Sequence, residues 1–145
     1  LSSFHRILVG WDGSSDARQA LRTASKLAES LAAEVTLLAV LKARSRAEAA
    51  DEAAEELAER RRQALEEMEA EAHHVAAAPA VRVRCELAEA DETSAGFDAY
   101  VREHGFDLVV LGRHGRDRAL HPRIGTLSEY QVRHGTCPVM VVGSD

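Results

Sequence analysis

Ile7-Leu8-Val9-Gly10-Trp11-Asp12-Gly13-Ser14 is a short continuous apolar run closed by turn-forming residues. An unbroken apolar run of this length reads as a strand covered on both faces, and the Gly, Asp and Ser behind it mark a tight turn. From Ser14 onward Ala17, Ala20, Leu21, Ala24, Leu27, Ala28 and Leu31 recur at helical spacing, with Ser14 or Ser15 placed to cap the free N–H groups of the first turn. The opening is therefore strand, turn, helix.

The same unit repeats outward from it. Glu34 to Leu41 carries Val35, Leu37, Leu38, Val40 and Leu41 without helical length or a cap, and reads as strand two. A helix is predicted from about Lys42 to Ala77, where Ala, Glu and Arg dominate. Its apolar stripe is Ala50, Ala54, Leu57, Ala64, Leu65, Met68, Ala72 and Val75. Its charges read first as a solvated face, with a coiled coil or partner groove as the alternative. Pro79 ends the helix, and Val81, Val83, Cys85 and Leu87 then alternate with Arg82, Arg84 and Glu86, which suits a half-exposed strand at a sheet edge. A helix from Ala95 to His104 with Phe97, Tyr100 and Val101 inward, a wholly apolar fourth strand Leu108 to Gly112, a helix from near Gly125 to about Arg133 and a fifth strand Pro138 to Val142 complete the chain. Strands alternating with helices predict a doubly wound, Rossmann-like parallel sheet of the α/β class with helices on both faces. In such sheets the ligand crevice lies at the carboxyl ends of the strands, where the strand order reverses. Strands one and four both stop at glycine, Gly10 and Gly112, so their turns are the candidates to flank that point.

Composition narrows the class of protein. At 145 residues the expectation is a single domain spanning 1–145. A fold of this size hides roughly 68 to 70% of the surface its unfolded chain exposes, so it needs no metal or disulfide staple. Hydrophobic residues at 46% and charged ones at 29% argue against disorder. A net charge of −6 argues against nucleic acid as a partner, because that footprint is a basic excess on one face. Two cysteines, Cys85 and Cys137, make no disulfide framework and have no zinc spacing; they would lie at opposite sheet edges, Cys137 as a buried small hydrophobe. No signal peptide or membrane span is read, and a cytoplasmic location is expected.

The chemistry is carried by Gly112-Arg113-His114-Gly115, nine residues, then Gly125-Thr126, of the form G-x2-G-x9-G-[ST]. Glycine after a strand lets the backbone turn, and without a Cβ main-chain N–H groups can approach a phosphate. Gly125-Thr126 opens a helix, whose unpaired N–H groups and positive dipole end face the same spot. Each glycine alone reads equally as a turn residue; the spacing and the strand and helix around it make the anion cradle. The string is neither a P-loop nor G-x-G-x-x-G.

With these residues in view the chain resembles the universal stress protein family over nearly its whole length. The matching pieces are Ile7 to Ser14, the glycine motif, Leu127-Ser128-Glu129, and Cys137-Pro138-Val139-Met140-Val141-Val142. The resemblance implies a five-stranded sheet in the order 3-2-1-4-5, and a cytoplasmic homodimer pairing the last strands, Val139 to Val142. It implies the branch of the family that binds adenine nucleotide, ATP or else AMP or ADP, with Mg²⁺ or Mn²⁺. Asp12 would lie beside the nucleotide with Gly10 and Trp11, and Val40 would line the adenine pocket. Leu111, Gly112 and Arg113 would lie under the ribose and phosphates, while Gly115, Gly125, Thr126 and the backbone of Leu127 would hold the phosphate chain.

Alternatives stay open at several of these positions. Asp12 either meets the phosphates through a divalent cation or a ribose hydroxyl, or is a turn aspartate. Trp11 either stacks on a base or crowds the pocket. The basic run Arg113, His114, Arg116, Arg118, His121 and Arg123 is either a phosphate attractor or a solvated loop or dimer contact. The leading function is a nucleotide-dependent homodimeric switch in the stress response. The others are a slow ATPase, whose candidates Asp12, His114 and His121 have no companion base in sequence, and a nucleotide-free interaction module.

Overall fold

The computed structural model describes residues 4–42, 54–75, 81–114 and 124–143. The expectations for Ala50, Pro79, Gly115, Arg116, Arg118, His121 and Arg123 lie outside the described residues.

The elements are β1 (Arg6–Gly10), α1 (Ser15–Leu31), β2 (Glu34–Lys42), α2 (Ala54–Val75), β3 (Val83–Ala90), α3 (Thr93–His104), β4 (Leu108–Gly112), α4 (Thr126–His134) and β5 (Val139–Val142). The five strands form one sheet in the order β3-β2-β1-β4-β5, every neighbouring pair parallel, as the resemblance implied. Ile7, Leu8 and Val9 are fully buried, which is why the opening run has no polar alternation. Ile7 pairs with Val35 of β2 and Leu108 of β4, and these side chains belong with Val9, Leu37 and Val110 to one core face, covered by Ala20, Leu21, Ala24 and Ala28 of α1 and Met68 and Val75 of α2. On the other face Leu8, Leu38, Val109 and Leu111 pack with Phe97 and Val101 of α3 and Leu127 of α4. Among the described residues two helices lie on each face, which defines a doubly wound sheet.

Of the two capping serines, Ser14 takes the role, its side chain accepting from Ala17 N at 3.1 Å. Cys85 lies on the β3 edge, and both cysteines are free. Burial, helped by Glu69 and Glu86, pushes the Cys85 thiol up to about 11, so it is not an activated nucleophile. Asp107 ties the sheet's amino ends together: its Oδ2 accepts His5 N at 2.7 Å and Arg6 N at 2.9 Å, and these backbone bonds hold its carboxyl below the ordinary aspartate range. A depressed folded value contributes stability above the unfolded value of 3.8 that is lost as pH falls through the folded one. Asp107→Asn is therefore expected to cost about 1 kcal/mol at pH 7, an exposed carboxylate being screened by solvent. Its melting midpoint should converge on wild type as pH drops below that window; a constant gap would refute the carboxylate's role.

Four boundaries or burials differ from the sequence expectation. Lys42 ends β2 and does not begin a helix, because Val40, Leu41 and Lys42 pair with Ala88, Glu89 and Ala90. Along α2 the predicted inward stripe is buried only at Met68, Ala72 and Val75; Ala54 is exposed and Leu57, Ala64 and Leu65 are half-buried. Its buried residues lie in its last turns, while Arg61 nearer its start bonds Glu89 of β3 and Ala64 and Glu67 border open space at the strands' carboxyl ends. Cys137 is half-buried, since it precedes an edge strand with a neighbour on one side only. Tyr100 is likewise half-buried, its ring stacked on His104 at 3.9 Å.

Candidate functional site

A cleft of about 710 Å³ opens at the carboxyl ends of β1 and β4. These neighbours are where the chain turns outward in opposite directions, to β2 on one side and β5 on the other, so the cleft sits at the topological switch point. Its size falls in the range of roughly 300 to 1,000 Å³ typical of sites for small organic ligands.

Two glycines set its floor. A methyl group at Gly112 would lie 2.8 Å from the main-chain carbon of Asp16 and 3.0 Å from Ala17 N, so glycine is what lets β4 run under the first turn of α1. A methyl group at Gly10 would meet side-chain tips of Leu111 at 2.6 Å, Phe97 at 3.2 Å and Leu127 at 3.5 Å, all on the cleft wall. Ser128 Oγ donates to Gly112 O at 2.6 Å, fastening α4 to the end of β4. The two ends of the glycine motif meet through Gly125 N, which donates to Arg113 O at 2.6 Å. At α4 the N-cap is Gly125, with no side-chain cap, so the helix presents its first amides and positive dipole end where Thr126, Leu127 and Ser128 border the cleft.

Ten of the residues singled out from the sequence line this cleft: Gly10, Trp11 and Asp12 from the end of β1, Val40 from β2, Leu111 and Gly112 from β4, His114 just after it, and Gly125, Thr126 and Leu127 at the start of α4. Arg113 does not. Its guanidinium lies where a Cβ on Gly143 would approach Nη2 at 2.3 Å, while its N donates to Val142 O at 2.7 Å, which ties it to the end of β5 and turns it away from the cleft. Gly115 lies outside the described residues. Asp12 shows the turn role, its Oδ1 accepting Ser14 N at 2.9 Å, and also borders the cleft. Trp11 forms wall without filling the space: its N donates to Leu38 O at 2.8 Å, its ring packs on the core beside α1, and Arg18 lies 5.9 Å over it.

The sequence reading missed Asp16, Glu67 and Thr93, and named Phe97 only as an inward helix residue and Ser128 and Glu129 only as part of the family match, not as cleft residues. Asp16, in the first turn of α1, is 1% exposed, and its Oδ2 accepts both His114 N at 2.9 Å and His114 Nδ1 at 3.0 Å. His114 thus has the companion carboxylate that was not visible beside it in sequence, and it lines the cleft. The signal available was an acidic residue one turn into a helix behind a glycine turn, which reads as a dipole partner. Among the described residues no cluster of three or more His, Cys, Asp or Glu could hold a metal ion, and no helix is long and apolar enough to cross a membrane.

A parallel doubly wound sheet with a cleft at its switch point defines a Rossmann-like α/β protein. The sequence model of the universal stress protein family matches residues 3–143, and the chain belongs to that family. Among solved structures it is similar to universal stress protein UspA from Lactobacillus plantarum, at 25% identity over 98% of this chain and 99% of that one, with a TM-score of 0.84. It has the fold of the universal stress protein from Archaeoglobus fulgidus in complex with dAMP, at 15% identity, 97% and 99% coverage and a TM-score of 0.67. A family protein from Arabidopsis thaliana with AMP bound gives 18%, 97% and 92%, and 0.64. No curated protein sequence matched.

Proposed function

We propose that this protein binds an adenine nucleotide in the switch-point cleft and acts as a nucleotide-dependent homodimeric switch in the cytoplasmic stress response. The observation that carries the reading is the uncapped start of α4 opening into the cleft beside Gly112 and Gly125. It provides anion-binding amides next to apolar wall from Val40, Leu38 and Leu41, the two surfaces a nucleotide needs. Fold relatives holding AMP and dAMP support adenine as the base. ATP is the ligand the intact glycine motif favours. Mg²⁺ or Mn²⁺ would then be held by the nucleotide's own phosphates with Asp12, a hard cation bound through one carboxylate plus phosphate being the usual arrangement. Bound ligand biases a conformation only as far as it prefers one of two states. For the dimer, β5 has one open edge and half-buried Val139 to Val142, so a second copy pairing there would continue the sheet.

The test is the melting midpoint against adenosine, AMP, ADP, ATP and GTP, with and without Mg²⁺. A ligand at 100 times its dissociation constant adds about 2.7 kcal/mol, which at this size raises the midpoint by roughly 5 to 11 °C. Gly125 has φ −63° and ψ 156°, which any residue adopts, so Gly125→Val should fold with a loss of about 1 kcal/mol at the cap and give no nucleotide shift. An unchanged shift in that variant would move the site elsewhere. The absence of a shift with every adenine nucleotide in wild type would remove nucleotide binding and leave the interaction module.

A further inference from the structure

The charged side chains around the cleft do not match an anionic ligand at first sight. Its ionisable lining residues, among those described, are Asp12 from the β1–α1 turn, Glu67 from α2, Glu129 from α4 and His114 after β4. A phosphate entering this space meets three carboxylates, and Arg113 is turned toward Gly143. His114 is the one lining residue of the described set able to carry positive charge. Its side chain is 9% exposed and is held by a carboxylate 1% exposed.

Asp16 Oδ2 already accepts the His114 main-chain N–H, so the ring proton in the second bond sits on Nδ1 and the imidazole donates. A carboxylate that accepts Nδ1–H fixes the tautomer and orientation of the ring and stabilises the imidazolium when it forms. The same contact sets the backbone of the glycine motif at His114, since one oxygen holds both the amide and the ring. Asp16 is itself favoured at this place by the amino-terminal dipole of α1.

We propose that the Asp16–His114 pair is the element that reads the ligand's phosphoryl group: the His114 imidazolium bonds a phosphate oxygen, and Asp16 is the positioning residue behind it. The site then selects phosphorylated nucleosides over nucleosides by this pair, in addition to the amides of α4. This rests on the nucleotide reading of the cleft and names the group that confers selectivity within it. A purely structural Asp–His tie would support the loop but would not discriminate between ligands differing only in a phosphate.

The experiment measures dissociation constants of adenosine and AMP by calorimetry at pH 6.5 for wild type, His114→Gln, Asp16→Asn and the double variant, each checked for a cooperative melt. The readout is the ratio of the adenosine to the AMP constant. His114→Gln is expected to lower that ratio about tenfold or more, the loss of a charge-assisted hydrogen bond. Asp16→Asn should lower it by a similar factor, and the double variant no further than either single one, because the two act as a unit. Should the buried Asp16→Asn fail to fold, His114→Gln alone decides. A ratio unchanged in His114→Gln, with AMP still bound, overturns the pair's role and leaves the nucleotide site standing. A wild-type ratio near one also overturns it. Binding of neither ligand by wild type is the distinct result that removes the site reading and this inference together.

Discussion

Gly112→Ala is expected to lower the melting midpoint by roughly 10 °C, and Gly112→Val to leave little folded protein at 37 °C. The first carbon of any side chain is sufficient, because the atoms it meets are main chain or fixed directly to it: the Asp16 carbonyl carbon and Cβ, each at 2.8 Å, and Ala17 N at 3.0 Å. A side-chain tip could rotate away, whereas these atoms belong to the first turn of α1. That turn is held by the Ser14 cap and by Asp16 bonding to His114, and Gly112 itself is held by Ser128. Relief would require β4 and α1 to separate, and α1 covers β4 as well as β1. Overpacking of a tight site typically costs about 1 to 3 kcal/mol and more where the neighbours cannot yield, with each kcal/mol worth roughly 3 °C at this size. Thermal melts of the two variants check it. A Gly112→Ala midpoint within about 2 °C of wild type would mean that α1 can shift at its start.

That contact also explains what the sequence made legible. Gly10 and Gly112 stand at the ends of wholly apolar runs, and such runs occur where both faces of a sheet are covered, so the strands, their parallel arrangement and the end of the sheet bearing the cleft follow from local pattern. The alternation around Cys85 is local in the same way and places β3 at an edge. The strand order came from family resemblance, since alternation alone leaves several right-handed arrangements.

What could not be read depends on tertiary distance. Asp16 and His114 are 98 positions apart, and neither residue's neighbours in sequence announce the other. Arg113 and His114 are adjacent and equally basic on paper, yet one backbone turn sends the first toward Gly143 and the second into the cleft. The α2 stripe failed for a related reason: helical periodicity gives a face, but burial requires something opposite it, and only Met68, Ala72 and Val75 in the last turns are buried.

Phe97→Ala is expected to cost about 3 to 5 kcal/mol, a fall of roughly 10 to 15 °C in the midpoint. The ring is 1% exposed and sits in the smaller of the two core clusters, with Leu8, Leu38, Val101, Phe106, Val109 and Leu111. That cluster holds two buried phenylalanines, Phe97 the deeper of them, where the opposite face spreads its packing over α1 and α2, so truncating Phe97 leaves a cavity that strands fixed in register cannot close. Phe97→Leu keeps much of the volume and should cost about 1 to 2 kcal/mol. The same ring borders the cleft beneath Gly10, within 3.2 Å of where a Cβ there would stand, so its removal deepens the pocket as it weakens the core. The two consequences separate experimentally. If the ring supports only the core, both variants retain the wild-type nucleotide constant at a temperature where they are folded. If it also supports the ligand wall, Phe97→Ala loses about tenfold in affinity for adenosine and AMP alike, because a ring under the floor touches what the two ligands share and not the phosphate. A loss confined to AMP would contradict that placement and assign the aromatic end of the cleft to the phosphate.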